Sequence, residues 1–238
     1  GQYREDFGMA LEELDLVGEV HIDRLRACFN TEGFLAPKLE GAIAGVRELL
    51  NQGRQTSELV VMYSTHSIPD VMADASGPED TRVQQSGGWY VAQHQAAIDW
   101  VHQRLEDEIG ATLERQFVFQ SRSGSPKQPW LEPDINDAIK EVAQRGFTGV
   151  VCVPIGFVSD HLEVAWDLDH EAAQTAAEQG IDFVRTPTCG TDPRFVSTLA
   201  DLVEERLGER GPVETITDFP ATPDICGRRC CVGRLKRP

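Results

Sequence analysis

Positive charge is scarce in this sequence. Its 238 residues carry 22 Lys and Arg against 39 Asp and Glu, a formal net charge of −17. Such a surface repels phosphate backbones and anionic headgroups, so neither nucleic acid nor an acidic membrane is an expected partner. Long apolar runs are missing as well. None approaches the roughly 18 residues that a membrane-spanning helix needs, and no transmembrane segment is expected. The opening residues, GQYREDFGMALEEL, have neither a basic flank nor an apolar stretch, so they do not read as a secretory signal. They lack an initiator Met and begin in helix-like sequence, and the expectation is that material upstream is missing. Without a signal peptide the expected compartment is the cytoplasm. Thiols stay reduced there, and clustered Cys more often bind metal than pair with each other. Internal repeats and low-complexity segments are absent too.

What remains is ordinary globular material. The 40% hydrophobic content suffices for a core, and the length suits one large α/β domain or one domain plus extensions. Short β-branched runs at 58–63 (ELVVMY), 116–120 (QFVFQ), 149–154 (GVVCVP) and 181–186 (IDFVRT) read as strands. Helical patterns cover 4–16, 35–51, 88–109, 133–145, 160–179 and 193–207. This alternation predicts βαβ units on a parallel, Rossmann-like sheet. The strands are nearly continuous in apolar character, as a sheet with helices on both faces requires. Pro133 and Pro193 suit first-turn helix positions. The expected organisation is a helical segment over 1–57, a central domain over 58–210, and a polar linker into a Cys-rich tail over 211–238.

Open parallel sheets bind ligands beyond the carboxyl ends of their strands. That directs attention to the loops 64–85 and 121–132, and first to His66, just past ELVVMY in YSTHSIP. With an ordinary pKa of about 6.5, a His there can accept protons or bind metal near neutral pH. The alternative is a His that hydrogen-bonds loop backbone. The helical stretch DHLEVAWDLDHE holds the second feature. Glu163, Asp167 and Glu171 recur every four residues, which stacks them on one helix face. Like charges so spaced destabilise a helix slightly, while a row of carboxylates offers the hard oxygen ligands that divalent cations use. A solvated acidic face is the alternative, as is a capping box between Asp160 as N-cap and Glu163. His161 lies one step from the row. His21, His94, His102 and His170 read as surface residues, and Trp89, Trp100, Trp130 and Trp166 as core or pocket wall.

The tail carries Cys226, Cys230 and Cys231, interleaved with Arg228 and Arg229. Three crowded thiolates repel one another unless a metal or cationic surroundings offset them. The arginines suit an anionic iron–sulfur cluster. Zinc is a second candidate, although a second CxxC pair is lacking. A tail of idle thiols is the third. The remaining cysteines, Cys28, Cys152 and Cys189, are scattered.

Four segments resemble one family. YSTHSIPDV is similar to the ferrochelatase motif built around "AHS(L/I)P". QSRSGSPKQPWLEPD resembles the loop "WQS…G…PWL.P". VPIGFVSDHLEVAWDLDHE resembles "P(I/V)(A/G)F.(S/A)DH(L/I)E.L…D…E", and TPTCGTDPRFVSTLADLV the last strand–helix unit. The motifs occur in family order and together span nearly everything from Gln2 to Leu207. The resemblance implies the C-terminal half of a chelatase-like fold, in which two Rossmann-like halves enclose a porphyrin cleft. It implies a lyase of haem biosynthesis with Fe2+ as substrate. His66 and Glu163 would face each other across the macrocycle, Asp167 and Glu171 would be further metal-handling carboxylates, and Tyr3 would contact the porphyrin. The acidic composition and Cys tail resemble actinobacterial members acting on coproporphyrin III, with protoporphyrin IX as runner-up substrate. Some of those members hold a [2Fe–2S] cluster through three C-terminal Cys and one Cys from the N-terminal half.

Three features depart from the pattern. Thr65 stands where Ala is usual, the N-terminal half is expected to be missing, and no Cys occupies the place of the fourth cluster ligand. Two other readings compete: a chelatase for another metal such as cobalt, and a porphyrin- or haem-binding fragment without catalysis.

Overall fold

The computed structural model describes residues 30–77, 86–124 and 127–219. Its four strands are β1 (Leu59–His66), β2 (Glu114–Gln120), β3 (Gly149–Val153) and β4 (Asp182–Arg185). All pair in parallel, in the order β2-β1-β3-β4. Around them run α1 (Glu32–Asn51), the short α2 (Asp70–Asp74), α3 (Gly88–Ile109), α4 (Ile135–Gln144) and α6 (Pro193–Leu207). The helix between β3 and β4, called α5, joins a first turn at Leu162–Val164, a π-helical stretch at Ala165–Ala172 and a final α-helical part at Ala173–Glu178. This is the α/β parallel sheet that the strand–helix alternation predicts.

Strand alternation builds two cores. Leu59, Val61 and Tyr63 of β1 meet Phe34, Val46 and Leu49 of α1, Ile98, Val101 and Leu105 of α3, and Phe195 and Leu202 of α6. Val60 and Met62 point the other way, with Val150 and Cys152 of β3. They pack on Ile135, Ile139 and Val142 of α4 and on Val164, Leu168 and Ala176 of α5. Helices therefore cover both faces, which is why β1 and β3 are apolar at nearly every position.

The strand order has a consequence for function. From β1 the chain moves to one side to form β2, then crosses back over β1 to form β3. Such a reversal is where open parallel sheets form a ligand crevice, outside the carboxyl ends of β1 and β3. His66 is the last residue of β1, three residues further along the strand than the sequence pattern ends it, because Thr65 and His66 still pair with Phe119 and Gln120 of β2.

Several local expectations are corrected by tertiary contacts. Asp160 is not the N-cap of α5. Its carboxylate bonds Arg185 at 2.6 Å, and His161 caps the helix instead, Nδ1 accepting from the Val164 amide at 3.4 Å. Pro133 precedes α4 rather than entering it, and Asp134 caps that helix through the Asn136 amide. Pro193 does sit in the first turn of α6. His94 and His102 are buried, not superficial, since the polar pattern of α3 hides them on its sheet-facing side. The His102 ring is bracketed by the Tyr63 hydroxyl and the Leu113 carbonyl, each at 3.1 Å.

Lys38 of α1 is buried completely. Its ammonium donates to the Pro154 and Phe157 carbonyls, both at 2.7 Å, and so ties down the loop that leads from β3 to α5. Burial pushes its pKa down from 10.5 to about 8, with Asp160 pulling back. The unfolded chain therefore holds this proton more tightly than the folded one, and the resulting penalty fades as pH rises from about 8 to 10.5. Denaturant unfolding of the parent and of Lys38→Met should show it. The parent gains roughly 2 kcal/mol relative to the variant between pH 7 and pH 9.5. A constant difference across that range contradicts the assignment.

Candidate active site

The crevice between β1 and β3 is furnished from three sides. β1 delivers His66, the β3–α5 connection delivers Glu163 in the first turn of α5, and the end of β2 delivers Gln120 and Ser121. His66 Nε2 stands 3.3 Å from Glu163 Oε1, both side chains being half-exposed. The sequence leaves two readings for His66, and the structure combines them. Its Nδ1 donates to the Ser67 carbonyl at 2.5 Å, the backbone role, and that bond orients the ring so that Nε2 faces the crevice. A ring that donates through Nδ1 presents a lone pair at Nε2 when neutral. Two acceptors then face each other at 3.3 Å. A proton or a cation between them would be held by both.

A second layer holds His66 from behind. The Tyr90 hydroxyl donates to the His66 carbonyl at 2.6 Å. Thr65 Oγ1 lies 3.0 Å from His94 Nε2 and 3.2 Å from the Tyr90 hydroxyl, while His94 Nδ1 donates to the Tyr90 carbonyl at 2.7 Å. Burial pushes the pKa of His94 down to about 4, a shift that its backbone hydrogen bond opposes. The imidazole therefore stays neutral and accepts from Thr65. Thr65, the residue that departs from the family pattern, thus has a partner of its own.

The acidic row does not behave as one solvated face. Asp167 is half-buried and accepts from Gln120 Nε2 at 3.3 Å and from the Ser121 hydroxyl. Burial pushes its carboxyl above the ordinary range, against the pull of those two hydrogen bonds. The like charges of Glu163 and Glu171 push the same way as burial. Glu171 is exposed and accepts from Trp166 Nε1 at 3.0 Å. Trp166 is 53% exposed and belongs to no core. The row runs through the π-helical stretch, whose wider turn is a frequent mark of functional sites.

The four expected metal-handling residues are thus arranged as a file. His66 and Glu163 pair at one end, Asp167 is tied to the β2 terminus, and Glu171 lies outermost. Among the described residues no group of three or more His, Cys, Asp and Glu forms a closed metal cage. Tyr3, Cys28, Cys226, Cys230 and Cys231 lie outside the described residues. The described cysteines, Cys152 and Cys189, are buried free thiols. Burial pushes Cys152 up to about 12 and Cys189 upward too.

Sequence reasoning points to the loop QSRSGSPKQPW without singling out its first residues, Gln120 and Ser121, and it misses Lys38 as part of this region. The QS pair at a strand end and a lone Lys in the apolar helix EGFLAPKLEGAIAGV are the only local signals.

The chain is similar to known proteins along most of its length. A family model for ferrochelatase matches residues 1–207. The coproporphyrin III ferrochelatase of Tropheryma whipplei (strain Twist) is 44% identical over 232 residues, covering 97% of this chain and 59% of the relative. That of Streptomyces coelicolor is 42% identical over 243 residues, covering 100% and 64%. The ferrochelatase of Rhodopirellula baltica is 36% identical over 238 residues, covering 100% and 62%. The chain therefore spans about three fifths of the length of the curated relatives it matches.

Proposed function

The chain belongs to the ferrochelatase family, and on that premise we propose that it carries the metal-inserting site of an enzyme converting coproporphyrin III and Fe2+ to Fe-coproporphyrin III in the cytoplasm. The observation that carries the proposal is the His66–Glu163 pair, at 3.3 Å across the mouth of the sheet crevice. The substrate assignment draws on relatives that act on coproporphyrin III.

Two pyrrole N–H protons must leave before a porphyrin can hold Fe2+. A base is needed within hydrogen-bond reach of the ring centre. His66 Nε2, held by its Nδ1 bond to Ser67, accepts a proton there, and Glu163 takes it onward or ligates the incoming cation. Asp167 and Glu171 continue the file outward, so a partly hydrated cation moves in, or protons move out, between successive carboxylates. The apolar macrocycle needs apolar walls. Leu162 and Trp166 on α5, and Val71 and Met72 on α2, are large hydrophobic side chains left exposed on α5, which carries Glu163, and on the helix that follows His66. Tyr3 would add a porphyrin contact from the segment preceding α1.

The test is an anaerobic assay of the full-length protein with Fe2+ and either porphyrin. Coproporphyrin III should be metallated with the higher kcat/KM. Equal or preferred use of protoporphyrin IX overturns the substrate assignment. Porphyrin binding without insertion overturns the activity.

Cys226, Cys230 and Cys231 would hold a [2Fe–2S] cluster in the tail, which supplies no step of a redox-neutral insertion. Analysis of the purified full-length protein should find two iron and two acid-labile sulfide per chain in a coloured protein, about the content of one such cluster. Replacing Cys230 and Cys231 by Ser should abolish both. A colourless protein with stoichiometric zinc refutes the cluster.

A further inference from the structure

One backbone position near the site is costly for the residue it holds. Ser121 has φ of +62°, and it is the only non-glycine residue at positive φ among the described residues. A left-handed backbone is strained for a residue with a Cβ, and glycine is the relaxed choice there. A strained residue kept at a ligand-binding rim points to a role for its side chain.

The side chain has one. Ser121 follows the last residue of β2, where Gln120 pairs with His66 of β1 and accepts from the Ser67 amide at 2.8 Å. From there the Ser121 hydroxyl donates to Asp167, 46 positions further along the chain, and Gln120 Nε2 donates to the same oxygen at 3.3 Å. These two donors link the strand beside His66 to the helix that carries Glu163. Without the left-handed turn, the chain leaving β2 would direct the Cβ of residue 121 elsewhere.

We propose that Ser121 is a positioning residue for metal insertion: its hydroxyl holds Asp167 in the carboxylate file, and its left-handed backbone aims it there. The inference rests on the function proposed above. It separates two quantities that usually move together, because stability depends on the backbone of residue 121 and activity on its hydroxyl.

Three variants of the full-length protein test it. Ser121→Ala and Ser121→Gly both lose the hydroxyl, and only glycine relaxes the turn. Ser121→Thr keeps the hydroxyl and worsens the strain through its branched Cβ. Ser121→Gly should therefore melt above Ser121→Ala, with Ser121→Thr lowest. Both variants without the hydroxyl should lose roughly 10–100-fold in kcat/KM for Fe2+, at unchanged KM for the porphyrin. Ser121→Thr should stay within about threefold of the parent. Activity that follows the melting order, with glycine the most active, overturns the proposal. Asp167→Asn distinguishes the two levels of the argument. If it is fully active, the reading of the carboxylate file falls and this inference with it. If it is impaired while Ser121→Ala and Ser121→Gly keep parental activity, only the inference about Ser121 falls.

Discussion

Replacing His66 by Ala or Glu163 by Gln lowers the rate of iron insertion by about 10²–10⁴-fold, the usual worth of one placed acid–base group. The two residues come from different elements, 97 positions apart, and meet at 3.3 Å only because β1 and β3 are neighbours in the sheet. Glu163→Gln keeps the size and shape of the side chain and removes its charge, so it tests the carboxylate and not its packing. His66→Ala removes the crevice-facing nitrogen and also the Nδ1 bond to Ser67. Both side chains are half-exposed, so neither substitution should change stability by more than about 0.5 kcal/mol. Activity can then be read per folded molecule. If the residues act as a unit, the double variant is little worse than either single one. Turnover of either single variant within tenfold of the parent removes that residue from the mechanism.

The second large effect is expected at Gly156, in the loop between β3 and α5. A Cβ added there would lie 1.9 Å from Thr65 Oγ1, 2.6 Å from Thr65 Cβ and 2.8 Å from His94 Nε2. These atoms are the network behind His66, and none is the loose end of a flexible side chain. Thr65 is locked in β1, and the His94 ring is held at Nδ1 by the Tyr90 carbonyl. The added methyl cannot be absorbed without moving the loop or the strand. Gly156→Ala should cost about 3 kcal/mol in denaturant unfolding, at the upper end for overpacked sites. It should also depress activity, because Thr65 immediately precedes His66. Thr65→Ala removes the nearest of the three contacts and leaves the Cβ at 2.6 Å, so on that background the same substitution should be milder by about 1 kcal/mol. Strict additivity would show that residues 65 and 156 do not press on each other.

Much of this architecture is legible in the amino-acid pattern. The apolar runs at 58–63, 116–120, 149–154 and 181–186 correspond to β1 to β4, with ends shifted by up to three residues. His66 stands out because it follows an apolar strand, and Glu163 because it begins a regular acidic spacing. The less successful readings share one cause. The cap expected at Asp160 does not form because Arg185 competes for the same carboxylate from 25 positions away. His94 and His102 read as surface residues because a helix with polar residues on several faces does not say which one turns inward. Local pattern contains no information about such partners.

By itself the sequence determined the alternation of strands and helices, hence a parallel sheet covered on both faces, together with the candidacy of His66 and the Glu163 row. The alternation follows from periodicity and composition, which act over a few residues, and the choice of His66 and Glu163 rests on the extended motifs around them that resemble the family. Only the tertiary structure decided the strand order β2-β1-β3-β4, and with it the crevice in which those two residues meet. It also decided that α5 takes a π-helical course, that Asp167 is held by Ser121 and Gln120, and that Lys38 is buried beneath the loop leading to Glu163. The reason is physical. A buried charge or a strained backbone is tolerated only where partners from distant parts of the chain offset its cost, and those partners come together only in the folded state.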